Sequence, residues 1–115
     1  MHELGIVFRI LDMVRDIAAE NRLEEVSSVT LELGEVSGIV FEQLQSCWNW
    51  AVKKEDPPLR GAALCLEQIP AVTVCNACGK TYPTVQHGKT CPHCGSTDTV
   101  LLTGNEVAVK EIEAR

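Results

Sequence analysis

Val7, Ile10, Leu11, Val14, Ile17 and Ala18 recur at spacings of three and four, which is one apolar face of a helix. Arg9, Asp12, Arg15, Asp16 and Glu20 fall largely on the opposite side. The pattern predicts a helix that ends near Asn21 and is preceded only by Met1, His2 and Glu3. From Val26 to Leu33 the period changes to two: Val29, Leu31 and Leu33 alternate with Ser28, Thr30 and Glu32, as in a half-buried strand that Gly34 ends. A second helix is predicted from Phe41 to Lys54, with Phe41, Leu44, Trp48 and Ala51 or Val52 on its buried side and Pro57-Pro58 as its stop. A strand follows at Ala62–Ile69, with Leu64 and Leu66 on one face.

Pro70 marks a change of character. From Ala71 to about Gly104 the sequence is rich in Cys, Gly, Thr, Lys and His and has no helical period. Gly104-Asn105 is a turn signal, and Glu106–Glu113 again reads as a strand through Val107 and Val109. A lone final strand needs a sheet partner, and the nearest unfinished sheet lies before Pro70. The expected class is therefore α+β. A small domain of two helices and a three-stranded sheet spans 1–70 plus 104–115, and a zinc-ribbon-like domain is inserted at 71–103.

Composition narrows the chemistry. The 115 residues are 45% hydrophobic but only 4% aromatic, so the core is aliphatic. The net charge of -6 argues against a nonspecific nucleic-acid binder, which needs a basic face. No apolar run approaches membrane-spanning length, and Arg9 and Asp12 break the first apolar stretch, so no secretory signal is read. The expectation is a soluble cytoplasmic protein with reduced thiols and no membrane partner.

Four of the six cysteines form two pairs, Cys75/Cys78 and Cys91/Cys94, in the spacing C-x2-C-x12-C-x2-C with a glycine after each pair. Each C-x-x-C-G makes a tight turn that aims two thiolates at one ion, and two such turns supply the tetrahedral sulfur set that suits Zn2+. The segment has too few apolar residues to fold alone, so a metal would supply its folding free energy. A closed four-sulfur site does not catalyse. Two readings compete: a redox-active pair, which normally starts a helix, and a rubredoxin-like iron site. His93 within the second turn and His87 between the turns are either exposed loop residues or contributors to a metal. Cys47 and Cys65 read as small packing residues. Trp48 and Trp50 cannot share a helix face, so Trp48 is assigned to the core and Trp50 to a partner surface.

Met1-His2-Glu3 admits two readings. The amino group, the His2 amide and the His2 imidazole can chelate one cation, in the nitrogen-rich geometry that Ni(II) or Cu(II) prefers, with the Glu3 carboxylate as a further ligand or as the imidazole's hydrogen-bond acceptor. Alternatively His2 is solvated and Glu3 is an ordinary acid in a first helical turn.

The Met-His-Glu-Leu start, Leu31-Glu32-Leu33-Gly34-Glu35-Val36-Ser37, the two C-x-x-C pairs and Gly104-Asn105-Glu106 occur in one order over essentially the whole chain. Together they resemble the HypA/HybF family of hydrogenase nickel-incorporation proteins. The resemblance implies a nickel metallochaperone, not an enzyme. It implies delivery of Ni(II) to the large subunit of [NiFe]-hydrogenase with a HypB-type GTPase and, in some bacteria, service to urease and its maturation proteins. It implies that His2, with Glu3 and the backbone nitrogens beginning at Met1, holds nickel and that Cys75, Cys78, Cys91 and Cys94 hold structural zinc. It also implies a monomer or weak homodimer. Some members carry an acid just after the Gly-Glu-x-Ser stretch; here Gly38–Phe41 has none, and Glu42 is the nearest. The rival, a zinc-ribbon protein-interaction module without nickel delivery, explains the cysteines but not the N-terminal half. An enzyme is disfavoured because no nucleophile–base set or phosphate loop is evident.

Overall fold

A computed structural model describes residues 3–115. The order of elements is α1 (Glu3–Glu20), β1 (Val26–Gly34), α2 (Phe41–Val52), β2 (Ala63–Ile69), β3 (Val72–Cys75), β4 (Thr81–Pro83), α3 (Thr84–His87), β5 (Thr99–Thr103) and β6 (Val107–Ala114). The helices α1 and α2 and the strands β1, β2 and β6 stand where the periodicities predict them. The strands form two three-stranded sheets, ordered β2-β1-β6 and β4-β3-β5. The class is α+β, as expected. Among the described residues no helix is long and apolar enough to cross a membrane.

The chain divides into two compact units. The first comprises residues up to Leu31, Ile39–Glu67 and Ala108–Arg115. Its core is aliphatic: Val7, Ile10, Leu11 and Val14 from α1 and Val29 and Leu31 from β1 are all buried, as are Leu44 and Trp48 from α2. Trp48 is wholly buried, and its indole N–H donates to the Ala62 carbonyl at 2.8 Å. This satisfies the indole's one polar group and anchors the segment after α2. Trp50 is half exposed, so the two tryptophans divide as their spacing predicts.

The second unit comprises Glu32–Gly38 and Gln68–Val107. Two glycines are required where its crossing segments meet. A Cβ at Gly34 would lie 2.1 Å from the Gly104 carbonyl oxygen, and one at Gly104 would lie 2.4 Å from the Ala71 Cα. Gly104 also has φ +110, which favours glycine. Two carboxylates hold this crossing: Glu35 Oε1 accepts from the Ala71 N–H at 2.8 Å and Glu106 Oε1 from the Gly104 N–H at 2.6 Å. The second sheet was not legible as strands in the sequence. In it β3 pairs antiparallel with β4 and with β5, the latter through an irregularity that skips Leu102.

Cys65 corrects its sequence reading. It is exposed on β2, because the buried residue of that stretch is its neighbour Leu64 and successive strand residues face opposite ways. Cys47 is only half-buried.

Candidate metal centre

Two near-identical turns build the centre. In the first, the Cys75 N–H donates to the Lys80 carbonyl and the Gly79 N–H to the Cys75 carbonyl, at 2.9 and 2.8 Å. In the second, the Cys91 N–H donates to Ser96 and the Gly95 N–H to Cys91, at the same two distances. Gly79 and Gly95 sit at φ 76 and 78, so the glycine after each pair serves the left-handed turn that its position predicts. Asn76 ties the centre to β5's approach: its backbone N–H donates to the Asp98 carbonyl at 2.9 Å and its side-chain amide to Asp98 Oδ1 at 3.1 Å.

The turns bring the four sulfurs within 4.8 Å of one another. Cys75 and Cys94 are 3.5 Å apart, and Cys78 and Cys91 are 3.7 Å apart. A tetrahedral Zn–S4 centre with bonds of about 2.3 Å requires sulfurs about 3.8 Å apart, which the two closest contacts approach, so this donor set suits zinc. Cys75 and Cys91 are buried and Cys78 and Cys94 exposed, so one sulfur of each pair faces inward. Among the described residues the metal-ligating cluster comprises these four cysteines alone; neither histidine of the loop joins it. The His93 backbone N–H donates to Cys91 Sγ at 3.4 Å, while the His87 ring stands edge-on to Tyr82.

The thiols do not ionise alike. Burial works against the Cys91 thiolate, but the backbone N–H groups of His93 and Cys94 and the neighbouring sulfurs overcome it and lower this group to about 7. Cys94 receives help from the Ser96 backbone, yet contact with Cys75, burial and the other sulfurs raise it to about 12. The shifts oppose because adjacent sulfurs share protons rather than all ionise. A dication that displaces those protons removes the conflict.

At the other end of the sequence-derived set, Met1 and His2 lie outside the described residues. Glu3 is 1% exposed, and its Oε2 accepts from the Val40 N–H at 3.2 Å, which fixes the backbone just ahead of α2. A recess of about 380 Å³ opens beside it, lined by Glu3, Leu4, Glu42, Gln43, Ser46 and Cys47. The turn of α2 thus brings Glu42 to the recess that Glu3 lines. Sequence reasoning singled out Glu42 only as the nearest acid; helix α2 beginning at Phe41 supplies the geometry.

Comparison with known proteins agrees with this layout. Residues 1–114 match the family described as hydrogenase/urease nickel incorporation, metallochaperone, HypA. The chain is 36% identical over 112 residues to the hydrogenase maturation factor HypA of Chlorobium phaeobacteroides (strain BS1), covering 97% of each. It is 31% identical to the hydrogenase maturation factor HybF of Klebsiella pneumoniae, covering 98% of each. Its fold is similar to the solution structure of the Ni metallochaperone HypA from Helicobacter pylori, with a TM-score of 0.73, 20% identity, and coverage of 99% of this chain and 97% of that one. The match is not confined to the cysteine segment but runs through both units. The chain belongs to the HypA family of nickel metallochaperones for hydrogenase maturation, which are maturation factors rather than enzymes.

Proposed function

We propose that this chain binds Ni(II) through Met1, His2 and Glu3 and passes it to the large subunit of [NiFe]-hydrogenase. In this reading a HypB-type GTPase is its partner, and urease maturation proteins are a second outlet. The protein works in the cytoplasm as a monomer or weak homodimer. The nickel domain is 1–70 plus 104–115, and 71–103 is an inserted domain holding structural Zn2+ through Cys75, Cys78, Cys91 and Cys94. The observation that supports the reading is the family match beginning at residue 1, which takes in the Met-His-Glu start together with all four cysteines.

The chemistry follows from the donors. Amine, amide and imidazole nitrogens suit Ni(II), and the Glu3 carboxylate adds an oxygen or orients the imidazole. Nickel is cargo here, so its ligands must also let go. A chelate at the start of a chain can surrender one donor at a time to an acceptor. Binding requires a neutral imidazole and a deprotonated amine, so acid weakens it. The zinc thiolates, by contrast, form a closed set suited to permanent occupancy.

Nickel titration of the untagged protein beside His2→Ala tests this. The expected result is loss of high-affinity nickel binding with zinc retained at about one ion per chain. Extra residues fused before Met1 are expected to weaken binding as well, because the free amine is removed. Normal nickel affinity in His2→Ala would remove the proposed site.

A further inference from the structure

Val40 is the residue from which α2 starts, and its own side chain makes no capping hydrogen bond there. Serine, threonine, aspartate or asparagine normally fills such a position. The N–H of a cap residue is commonly held by a Glu or Gln three residues into the same helix, which reaches back to it. Gln43 stands at that place and is exposed. The Val40 N–H donates instead to Glu3 Oε2, from the first turn of the other helix, at 3.2 Å. The start of α2 is thus closed by the start of α1.

The burial of Glu3 agrees with this. An acid in an exposed first turn gains from the helix dipole while keeping its water. Glu3 gives up its water: it is 1% exposed, as fully buried as Leu11 or Leu31. Burying a carboxylate is costly, and hydrogen bonds to its charged form offset that cost. A donor to a cargo metal has the opposite need, since the metal must reach it and leave it.

We propose that the Glu3 carboxylate is a positioning residue rather than a nickel donor. By holding the Val40 N–H it pins the first turn of α1 to the first turn of α2, and so fixes the point from which the Met1-His2 chelate departs. The inference rests on the nickel reading above and narrows the part Glu3 plays in it: nitrogens hold the metal, and the carboxylate holds the chain. An unpinned first turn is free to fray, and a chelate built on it has to be ordered at the moment of binding. Fixing the backbone of one residue beforehand corresponds to an affinity gain of about five- to thirty-fold. Because the anchor never touches the metal, nickel leaves without opening the start of α2.

Nickel titration of the untagged, zinc-loaded full chain separates an anchor from a donor by the order of three variants. Glu3→Gln keeps an oxygen that accepts from Val40 but is a poor nickel donor. Glu3→Asp keeps a carboxylate but falls one methylene short of Val40. Glu3→Ala keeps neither. Glu3→Gln is expected to recover most of the affinity that Glu3→Ala loses, and Glu3→Asp to stay close to Glu3→Ala, about five- to thirty-fold below the wild type. The nickel absorption bands keep their positions in Glu3→Gln, since the donor atoms are the same. Val40→Pro, at a φ of -86 that proline nearly shares, removes the N–H and leaves the carboxylate intact. It is expected to lose affinity by the same factor as Glu3→Ala, with no further loss when the two are combined. Higher affinity in Glu3→Asp than in Glu3→Gln, or shifted bands in Glu3→Gln, would make the carboxylate a donor and overturn the proposal. Wild-type affinity in Val40→Pro would overturn it too. His2→Ala, titrated alongside, tells this failure from that of the nickel reading. Normal affinity there removes the site itself, whereas lost affinity there with no effect of the Glu3 and Val40 variants removes the anchor alone.

Discussion

The two units of this chain hold themselves together in different ways. In the first, α1, β1 and α2 bury a large set of aliphatic side chains together with Trp48. Burial of this kind contributes roughly 1.5–3 kcal/mol per large side chain. In the second, the buried cluster consists of Cys75, Tyr82 and Cys91, two of them thiols of the metal centre. Val100, Leu101 and Leu102, which would be core residues in an ordinary sheet, lie exposed. One unit excludes water from hydrocarbon; the other gathers four sulfurs. The difference shows how a sequence with little aromatic mass can still specify two folded bodies: the second draws its cohesion from a cation.

The strongest test of this contrast is metal removal. Chelation is expected to take away the roughly 10–16 kcal/mol that a structural zinc centre supplies at neutral pH. Residues 72–103 then lose amide protection while α1 and β1 keep theirs, as hydrogen exchange would show. Cys91→Ser should act in the same direction, since it removes a buried ligand. Uniform loss of protection throughout the chain would mean that the two units do not differ in this way.

The converse test acts on the first unit. Trp48→Ala removes its largest wholly buried side chain and leaves the Ala62 carbonyl without its indole donor. The expected cost is about 3–5 kcal/mol, read as a fall in the urea midpoint, with zinc still bound at full stoichiometry. Zinc loss in parallel would show that the metal unit depends on the apolar one.

What the sequence disclosed follows the same division. The first unit was legible because burial imposes a period, 3.6 on α1 and α2 and 2 on β1. In the second unit the four cysteines were legible from spacing alone, since only turns of fixed length converge two thiols. The sheet β4-β3-β5 was not, because hydrophobic alternation is a record of burial. On β5 three successive apolar residues are exposed, and on β3 the buried positions are Thr73 and Cys75. Glu3 illustrates a different limit. Its position suggested an ordinary acid of a first helical turn or a metal ligand, whereas its burial against the Val40 N–H depends on residues far along the chain. Cys65 was misread because a cysteine between two leucines of a strand must take the other face.

A smaller effect is expected where the second unit's segments cross. Gly104→Ala would drive a methyl group into the Ala71 backbone, at a φ that an L side chain rarely adopts. A cost of about 1–3 kcal/mol follows from overpacking, offset in part if the crossing spreads. Gly79→Ala keeps the φ penalty but meets nothing within 4 Å, so it should cost less. Thermal denaturation of the zinc-loaded pair separates the two terms: equal losses would mean that backbone strain alone sets the cost and that close approach contributes nothing.

The weakest contribution lies on the surface of the first unit. Arg15 donates to Asp12 and to Glu55, both at 2.6 Å, linking α1 to the segment after α2. The geometry is good, but the Arg15 side chain is 50% exposed, so water competes for both partners and salt screens what remains. Exposed pairs of this kind are worth about 0–1 kcal/mol. Arg15→Met keeps most of the aliphatic stem and removes the charge. It should shift the urea midpoint by less than Trp48→Ala does, and the shift should shrink further at high salt. A loss approaching that of the buried tryptophan, and indifferent to salt, would mean that the first unit is held by its ion pairs as much as by its hydrocarbon. The contrast between an apolar unit and a metal-held one would then have to be redrawn as one between two kinds of polar cohesion.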